Sequence, residues 1–288
     1  MARLFEDKVV LVTGAARGQG KSHCVRFAEE GASIIAVDLL EQIDTVGYPL
    51  GSEADLADTI AKVEALDARI QTHKTDVRAR EQLQAAVDAT IAEFGRLDVV
   101  VANAGILPIK QPTGVQSFVD ALDVDLVGVH NTVAASLPHL RAGASVVITG
   151  STAGLVPGAL ENPVLGPGGV GYGMAKRFMV DYTETLAMQL APSSIRVNAV
   201  HPSNANTDLL HNTELYRAFR PDLENPTRDD VQDAFTAFHG LPTPYLEPRD
   251  ISEAVVWLAS DLARYVTGVN LRVDAGAFLR SPAGTRGK

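Results

Sequence analysis

The chain has 288 residues, enough for one large domain or two small ones, and its 35 acidic against 25 basic side chains give a net charge of −10. No block of Lys or Arg could follow a phosphate backbone, which argues against nucleic acid and anionic membrane as partners. Cys24 is the single cysteine, so no intrachain disulfide can form, and the seven scattered histidines, with no His-x-x-x-His pair or cysteine cluster, give a metal site no support. Residues 1–7 lack an apolar signal region and no later run approaches membrane length, so a cytoplasmic protein is expected. Strand-like and helix-like runs alternate throughout, which favours one α/β domain over residues 1–288.

The first run, Val9-Val10-Leu11-Val12, is too short for a helix and rich in β-branched residues, as a strand buried on both faces of a parallel sheet should be. It leads into Gly14-Ala15-Ala16-Arg17-Gly18-Gln19-Gly20, a helical run, and the strand Ser33-Ile34-Ile35-Ala36-Val37-Asp38. Gly14, Gly18 and Gly20 remove side chains where a backbone turns sharply and approaches a pyrophosphate, with the helix N-terminus aimed at its charge. Asp38 closes the second strand, where a carboxylate accepts hydrogen bonds from both hydroxyls of an adenosine ribose. Arg17 could reach a 2′-phosphate and so argues for NADP, but Asp38 would repel that phosphate, and the reading is NAD. Cys24, beside Val25 and Phe27, reads as core packing.

Residues 39–60, with Gly47, Pro49 and Gly51, make a long connection on the cofactor side, with a helix expected over 53–69. A strand over 70–75 ends at Asp76-Val77, where a carboxylate and an amide could meet an adenine edge or cap a helix over 78–94. The strand at 97–102 runs into Asn103-Ala104-Gly105, small residues that let the backbone pass close to a cofactor. A helix is expected over 115–140, then a strand over 145–149 that ends at Gly150-Ser151-Thr152. Active residues in open parallel sheets sit at the C-terminal ends of strands, where Ser151 falls. Residues 155–171, with three prolines and five glycines, read as an irregular active-site loop.

That loop delivers Tyr172-Gly173-Met174-Ala175-Lys176 to the start of a helix expected over 172–190. Spacing of four puts Tyr172 and Lys176 on one face. A free phenol has a pKa near ~10, so a base at neutral pH needs a fall of about three units, roughly 4 kcal/mol, which a neighbouring ammonium and a nicotinamide cation can supply.

Taken together, Thr13-Gly14-x-x-x-Gly18-x-Gly20, Asp76-Val77, Asn103-Ala104-Gly105, Ser151, Tyr172-x-x-x-Lys176, Ile195-Arg196-Val197-Asn198-Ala199-Val200-His201-Pro202, Val266-Thr267-Gly268 and Val273-Asp274 resemble the classical short-chain dehydrogenases over nearly the full length. The phrases Gly18-Gln19-Gly20-Lys21-Ser22-His23, Asn225-Pro226-Thr227-Arg228 and Ala259-Ser260-Asp261-Leu262-Ala263-Arg264-Tyr265, with the long connection after Asp38, look like the mycofactocin-coupled subgroup, to which carveol dehydrogenase belongs. The resemblance implies a single doubly wound Rossmann domain of about seven parallel strands with helices on both faces, usually a homotetramer. It also implies an NAD that is held without exchange and gives its electrons to a separate carrier.

Carried over residue by residue, Tyr172 would be the general base, Lys176 would lower its pKa and bind the nicotinamide ribose, and Ser151 would hydrogen-bond the substrate oxygen. Residues 202–207 would hold the carboxamide and pyrophosphate, from Pro202 through the Ala205 backbone to the Thr207 hydroxyl. Asp125 stands where the family has an asparagine that anchors a relay water. A carboxylate there would weaken the pull of Lys176 on Tyr172 and shift the rate profile to alkaline pH. Ser203 and Ala275 replace usual glycines and should be tolerated. Residues 206–246 carry Leu209, Leu210, Tyr216, Phe219, Phe235 and Phe238, either as a lid over a hydrophobic alcohol or as packing on the domain. Residues 280–288 read as a frayed end or a subunit surface. The competing readings are a ketoacyl or steroid reductase with exchangeable NAD(P), and a nucleotide sensor without catalysis.

Overall fold

The structure, a computed structural model, describes residues 3–156 and 163–281. Seven strands, β1 Val9–Thr13, β2 Ser33–Asp38, β3 Ile70–Lys74, β4 Leu97–Ala102, β5 Leu140–Thr149, β6 Arg196–Pro202 and β7 Asn270–Val273, form one sheet in the order β3-β2-β1-β4-β5-β6-β7. Every pair is parallel. The helices are α1 Gly18–Glu29, α2 Glu53–Glu64, α3 Arg80–Phe94, α4 Val115–Leu122, α5 Val129–Ser136, α6 Thr152–Leu155, α7 Gly166–Leu190, α8 Thr213–Phe219, α9 Arg228–Phe238, α10 Pro248–Ala259 and α11 Ala277–Arg280.

The period of two along each strand sends alternate side chains into two cores. Val9, Leu11, Ile35 and Val37 enter the layer beside α3, α5 and α7, while Val10, Val12, Ile34 and Ala36 enter the one beside α1 and α10. Both layers are apolar, which is why these strands read as unbroken hydrophobic runs. Cys24 is fully buried in the second layer. The strand order reverses between β1 and β4, and the chain ends leaving both strands open a cleft at the C-terminal edge of the sheet.

Several boundaries differ from those expected. The helix over 115–140 is four pieces: α4, a π-helical turn at Asp123–Gly128, α5, and a 3-10 turn at Leu137–His139. β5 then starts at Leu140, five residues early, because Arg141, Ala142 and Gly143 are exposed and carry no strand signature. The helix expected from Tyr172 begins at Gly166, so residues 166–171 are not a loop. A Cβ on Gly168 would lie 1.8 Å from the Pro108 carbonyl oxygen, and one on Gly171 2.8 Å from that of Phe118. Those glycines permit close packing rather than break the helix. Residues 157–162 of the expected active-site loop and 282–288 of the expected frayed end lie outside the described residues. α2 stops at Glu64, and α3 starts at Arg80 with Ala79 as its N-cap, so Asp76 does not cap it. No helix among the described residues is long and apolar enough to cross a membrane, and none of their His, Cys, Asp and Glu side chains gather as metal ligands.

Candidate active site

The glycine turn forms because its three glycines are the residues that fit. Gly14 and Gly18 have φ of +68° and +54°, and a Cβ on Gly20 would lie 1.9 Å from the Gly14 carbonyl oxygen. No side chain caps α1, so its first amides face the cleft. Gln19 adds a buried Oε1 without a hydrogen-bond partner. Asp38 accepts bonds from the Ala16 amide (2.9 Å) and the Leu40 amide (3.2 Å), and burial raises its pKa against those bonds. A Cβ on Gly51 would sit 2.8 Å from its Oδ1. The cradle, the open helix end and the carboxylate suit a dinucleotide carrying ribose hydroxyls. Arg17 is engaged elsewhere, by the Asp208 carboxylate and the Pro49 carbonyl.

Of the residues expected to hold the cofactor, Gly14, Arg17, Gly18, Gln19, Gly20, Asp38, Asp76, Val77, Asn103, Ala104, Gly105, Tyr172, Lys176 and Thr207 all line this cleft, as does Asp125. Asp76 lies there with its carboxylate gripped by Arg78 at 2.7–2.9 Å. Pro202 and Ala205 line instead a neighbouring cavity of about 520 Å³, together with Ser151 and with Leu209, Leu210, Phe219 and Phe238, whereas Tyr216 and Phe235 of the same segment do not line it and pack in a buried core cluster. The two spaces meet at Gln19, Gly150, Tyr172, Thr207 and Leu209, which line both.

Tyr172 hydrogen-bonds Ser151, and the Lys176 ammonium lies 5.5 Å from its ring centre. Lys176 Nζ donates to the Thr149 carbonyl at 3.0 Å and lies 3.0 Å from Asp125 Oδ1, both side chains being buried. The π-helical turn carries Asp125, whose Oδ2 accepts the Ile106 amide at 3.2 Å. Gly105 is small for the same reason: a Cβ there would meet Asp125 Oδ1 at 2.6 Å. Burial opposes the charge on Lys176, yet Asp125 and then Tyr172 hold its pKa above the usual value. Burial raises that of Asp125. For Tyr172, burial and the Asp125 charge outweigh the Lys176 charge and the Ser151 bond, so its pKa stands above that of a free phenol without the cofactor.

Three features carry partnerships that the sequence does not reveal, although residues 39–60 read as a cofactor-side connection and Ser203 as a replaced glycine. Residues 39–52 form a strap whose centre is Gln42: its amide donates to the carbonyls of Ile43, Val46 and Tyr48, and its Oε1 accepts the Leu50 amide. The strap crosses the cleft, where the Tyr48 hydroxyl accepts the Leu107 amide at 2.9 Å and the Thr45 hydroxyl donates to Asp120 at 2.6 Å. Behind Ser151, His201 Nδ1 accepts the Ser151 amide at 3.2 Å and Nε2 donates to Asn270 at 2.8 Å. Ser203, at an expected glycine, donates to His239 Nε2 at 2.8 Å, while His239 Nδ1 donates to the Thr243 carbonyl. The extra hydroxyl thereby ties the end of β6 to the segment after α9.

A family profile described as Enoyl-(Acyl carrier protein) reductase matches residues 14–277. Among curated relatives, the (-)-trans-carveol dehydrogenase of Rhodococcus erythropolis is 42% identical, covering 97% of this chain and all of its own. The crystal structure of carveol dehydrogenase from Mycobacterium avium in complex with NAD superposes with a TM-score of 0.89 at 42% identity, over 97% of this chain and 100% of that one. A short chain dehydrogenase from Mycobacterium paratuberculosis bound to NAD gives 0.82 at 35%, over 96% and 99%. With its sheet order, glycine cradle and Ser151, Tyr172 and Lys176 constellation, this chain belongs to the short-chain dehydrogenase/reductase family.

Proposed function

We propose that the protein is an NAD-dependent dehydrogenase that oxidises a hydrophobic secondary alcohol, a terpene or alicyclic alcohol such as carveol, or reduces the matching ketone. The observation that carries this reading is the place of Tyr172, on the wall shared by the dinucleotide cleft and the apolar cavity. A carbinol in that cavity, bonded to the Ser151 hydroxyl, puts its proton within reach of Tyr172. NAD, when bound, supplies the carbon that accepts hydride and a positive charge that favours tyrosinate. Lys176 favours it too, and Ser151 stabilises negative charge on the substrate oxygen. Asp125 acts in opposition, holding the proton on Tyr172 to higher pH. Arg17 is the support for an NADP-linked ketoacyl or steroid reductase, but the Asp38 carboxylate in the same cleft would repel a 2′-phosphate, which favours NAD.

The strap over residues 39–52 supports the finer reading that NAD is retained through turnover and reoxidised in place by a separate, peptide-derived carrier, as the resemblance to mycofactocin-coupled enzymes implies. Tetrameric assembly belongs to the same reading, as do the apolar contents of residues 206–246 as a lid. The test is to add carveol or cyclohexanol to dialysed protein and follow nicotinamide fluorescence. Reduction of about one NAD per chain, with continued turnover only after an artificial electron acceptor is supplied, is expected. Full turnover on free NAD alone would remove the trapped cofactor from the account, and a sensor would give no reduction with any alcohol.

A further inference from the structure

The cavity that holds Ser151 and Tyr172 is apolar over most of its wall, with Leu107, Leu210, Phe219 and Phe238 among its lining, and its volume of about 520 Å³ suits a compact organic molecule. Among the described residues lining it, one side chain is charged: Arg280, at the end of α11. Its Nη1 donates to the Ala237 carbonyl at 3.1 Å, which leans the guanidinium on the C-terminal end of α9. A guanidinium has five N–H donors in a planar fork, so one such bond leaves most of them to a ligand. No carboxylate of the described residues lies within ion-pair distance of it. Arg280 is thus an exposed cation on an otherwise uncharged wall, with no carboxylate of the described residues paired to it.

We infer that Arg280 is a binding subsite for an anionic substituent of the substrate, a carboxylate above all, in the cavity where the carbinol reacts. The substrate class this selects is an alicyclic hydroxy acid, its carboxylate taken by the guanidinium fork and its ring by the apolar wall. The inference rests on reading this cavity as the substrate site.

The experiment is equilibrium binding of trans-4-hydroxycyclohexanecarboxylate and trans-4-methylcyclohexanol to NAD-loaded protein by calorimetry, for wild type, Arg280→Gln and Arg280→Lys. The ratio of the two affinities cancels general damage to the fold. The wild type is expected to prefer the acid by about tenfold, as a charge-assisted hydrogen bond implies. Arg280→Gln should abolish that preference, Arg280→Lys should retain part of it, and added salt should weaken the acid alone. An equal affinity for both compounds in the wild type, or a preference unchanged in Arg280→Gln, overturns the inference. Nicotinamide reduction by the same two compounds is read separately. If neither reduces the bound cofactor, the dehydrogenase reading fails, while the affinity ratio still decides whether Arg280 selects an anion.

Discussion

Lys176 is the residue on which the proposed chemistry turns, because one ammonium is shared between a carboxylate that holds it and a phenol that needs it. The Asp125 charge raises the Tyr172 pKa, as burial does, so its removal lowers the pH at which tyrosinate forms. Asp125→Asn is therefore expected to move the acidic limb of the kcat/KM profile to lower pH, measured by turnover with an artificial acceptor across the pH range. An unmoved limb would show that Asp125 does not set the tyrosine. Asp125→Ala also strips the buried ammonium of its anion, and a loss of about 3–5 kcal/mol is expected in denaturant unfolding of the NAD-loaded protein.

His201 acts one step further back. Asn270 donates its amide to the Val180 carbonyl (3.4 Å) and to Glu184 (3.2 Å), which turns its Oδ1 to His201 Nε2 and leaves Nδ1 as the acceptor for Ser151. Burial lowers the His201 pKa and keeps it in this neutral form. His201→Ala should cost kcat about tenfold to a hundredfold through misplacement of Ser151, with NAD content intact and partial rescue by His201→Asn. A loss of NAD equal to the loss of rate would mean that the change is structural only.

At the scale of elements, the strap and the π-helical turn do what regular secondary structure does not. Tyr48 is buried and its hydroxyl satisfies the Leu107 amide across the cleft, so Tyr48→Phe leaves a buried N–H without a partner, at a cost of about 1–3 kcal/mol. Some of that cost falls on the closed strap, and dialysed Tyr48→Phe protein is expected to carry less NAD per chain than the wild type, counted after acid release. Equal content would assign retention to other groups. These two elements were also the least legible in the sequence. The strands and the glycine turn announce themselves through β-branched runs and steric necessity, whereas the strap is organised by the single side chain of Gln42, and a π-helical turn keeps helical composition. The glycines at 166–171 misled for a related reason: their propensity speaks for a loop, and the close approach of Pro108 and Phe118 to α7 overrides it.

For the molecule as a whole, the fold followed from the alternation of buried strands and helices, and Ser151, Tyr172 and Lys176 from their places at the end of β5 and on one face of α7. Partnerships formed across the chain were not legible, since Arg17 with Asp208, Ser151 with His201 and Arg280 with Ala237 join residues 43 to 191 positions apart. The outer surface carries a further consequence. Val170, Met174 and Phe178 lie four apart along one face of α7 and are 41–52% exposed, with Val115 of α4 also uncovered. A stripe of that kind marks a contact surface, and under the proposed tetramer Phe178→Glu is expected to yield smaller species by light scattering. An unchanged mass would place the subunit contact elsewhere.

The central claim is that Tyr172 removes the carbinol proton at the junction of cofactor cleft and substrate cavity. Its most direct test is the single-turnover reduction of bound NAD by a secondary alcohol in wild type and Tyr172→Phe, with nucleotide content measured on the same samples. Reduction in the wild type, and its near absence in a variant that still carries NAD, is the predicted result. Reduction at the same rate in both would contradict the account.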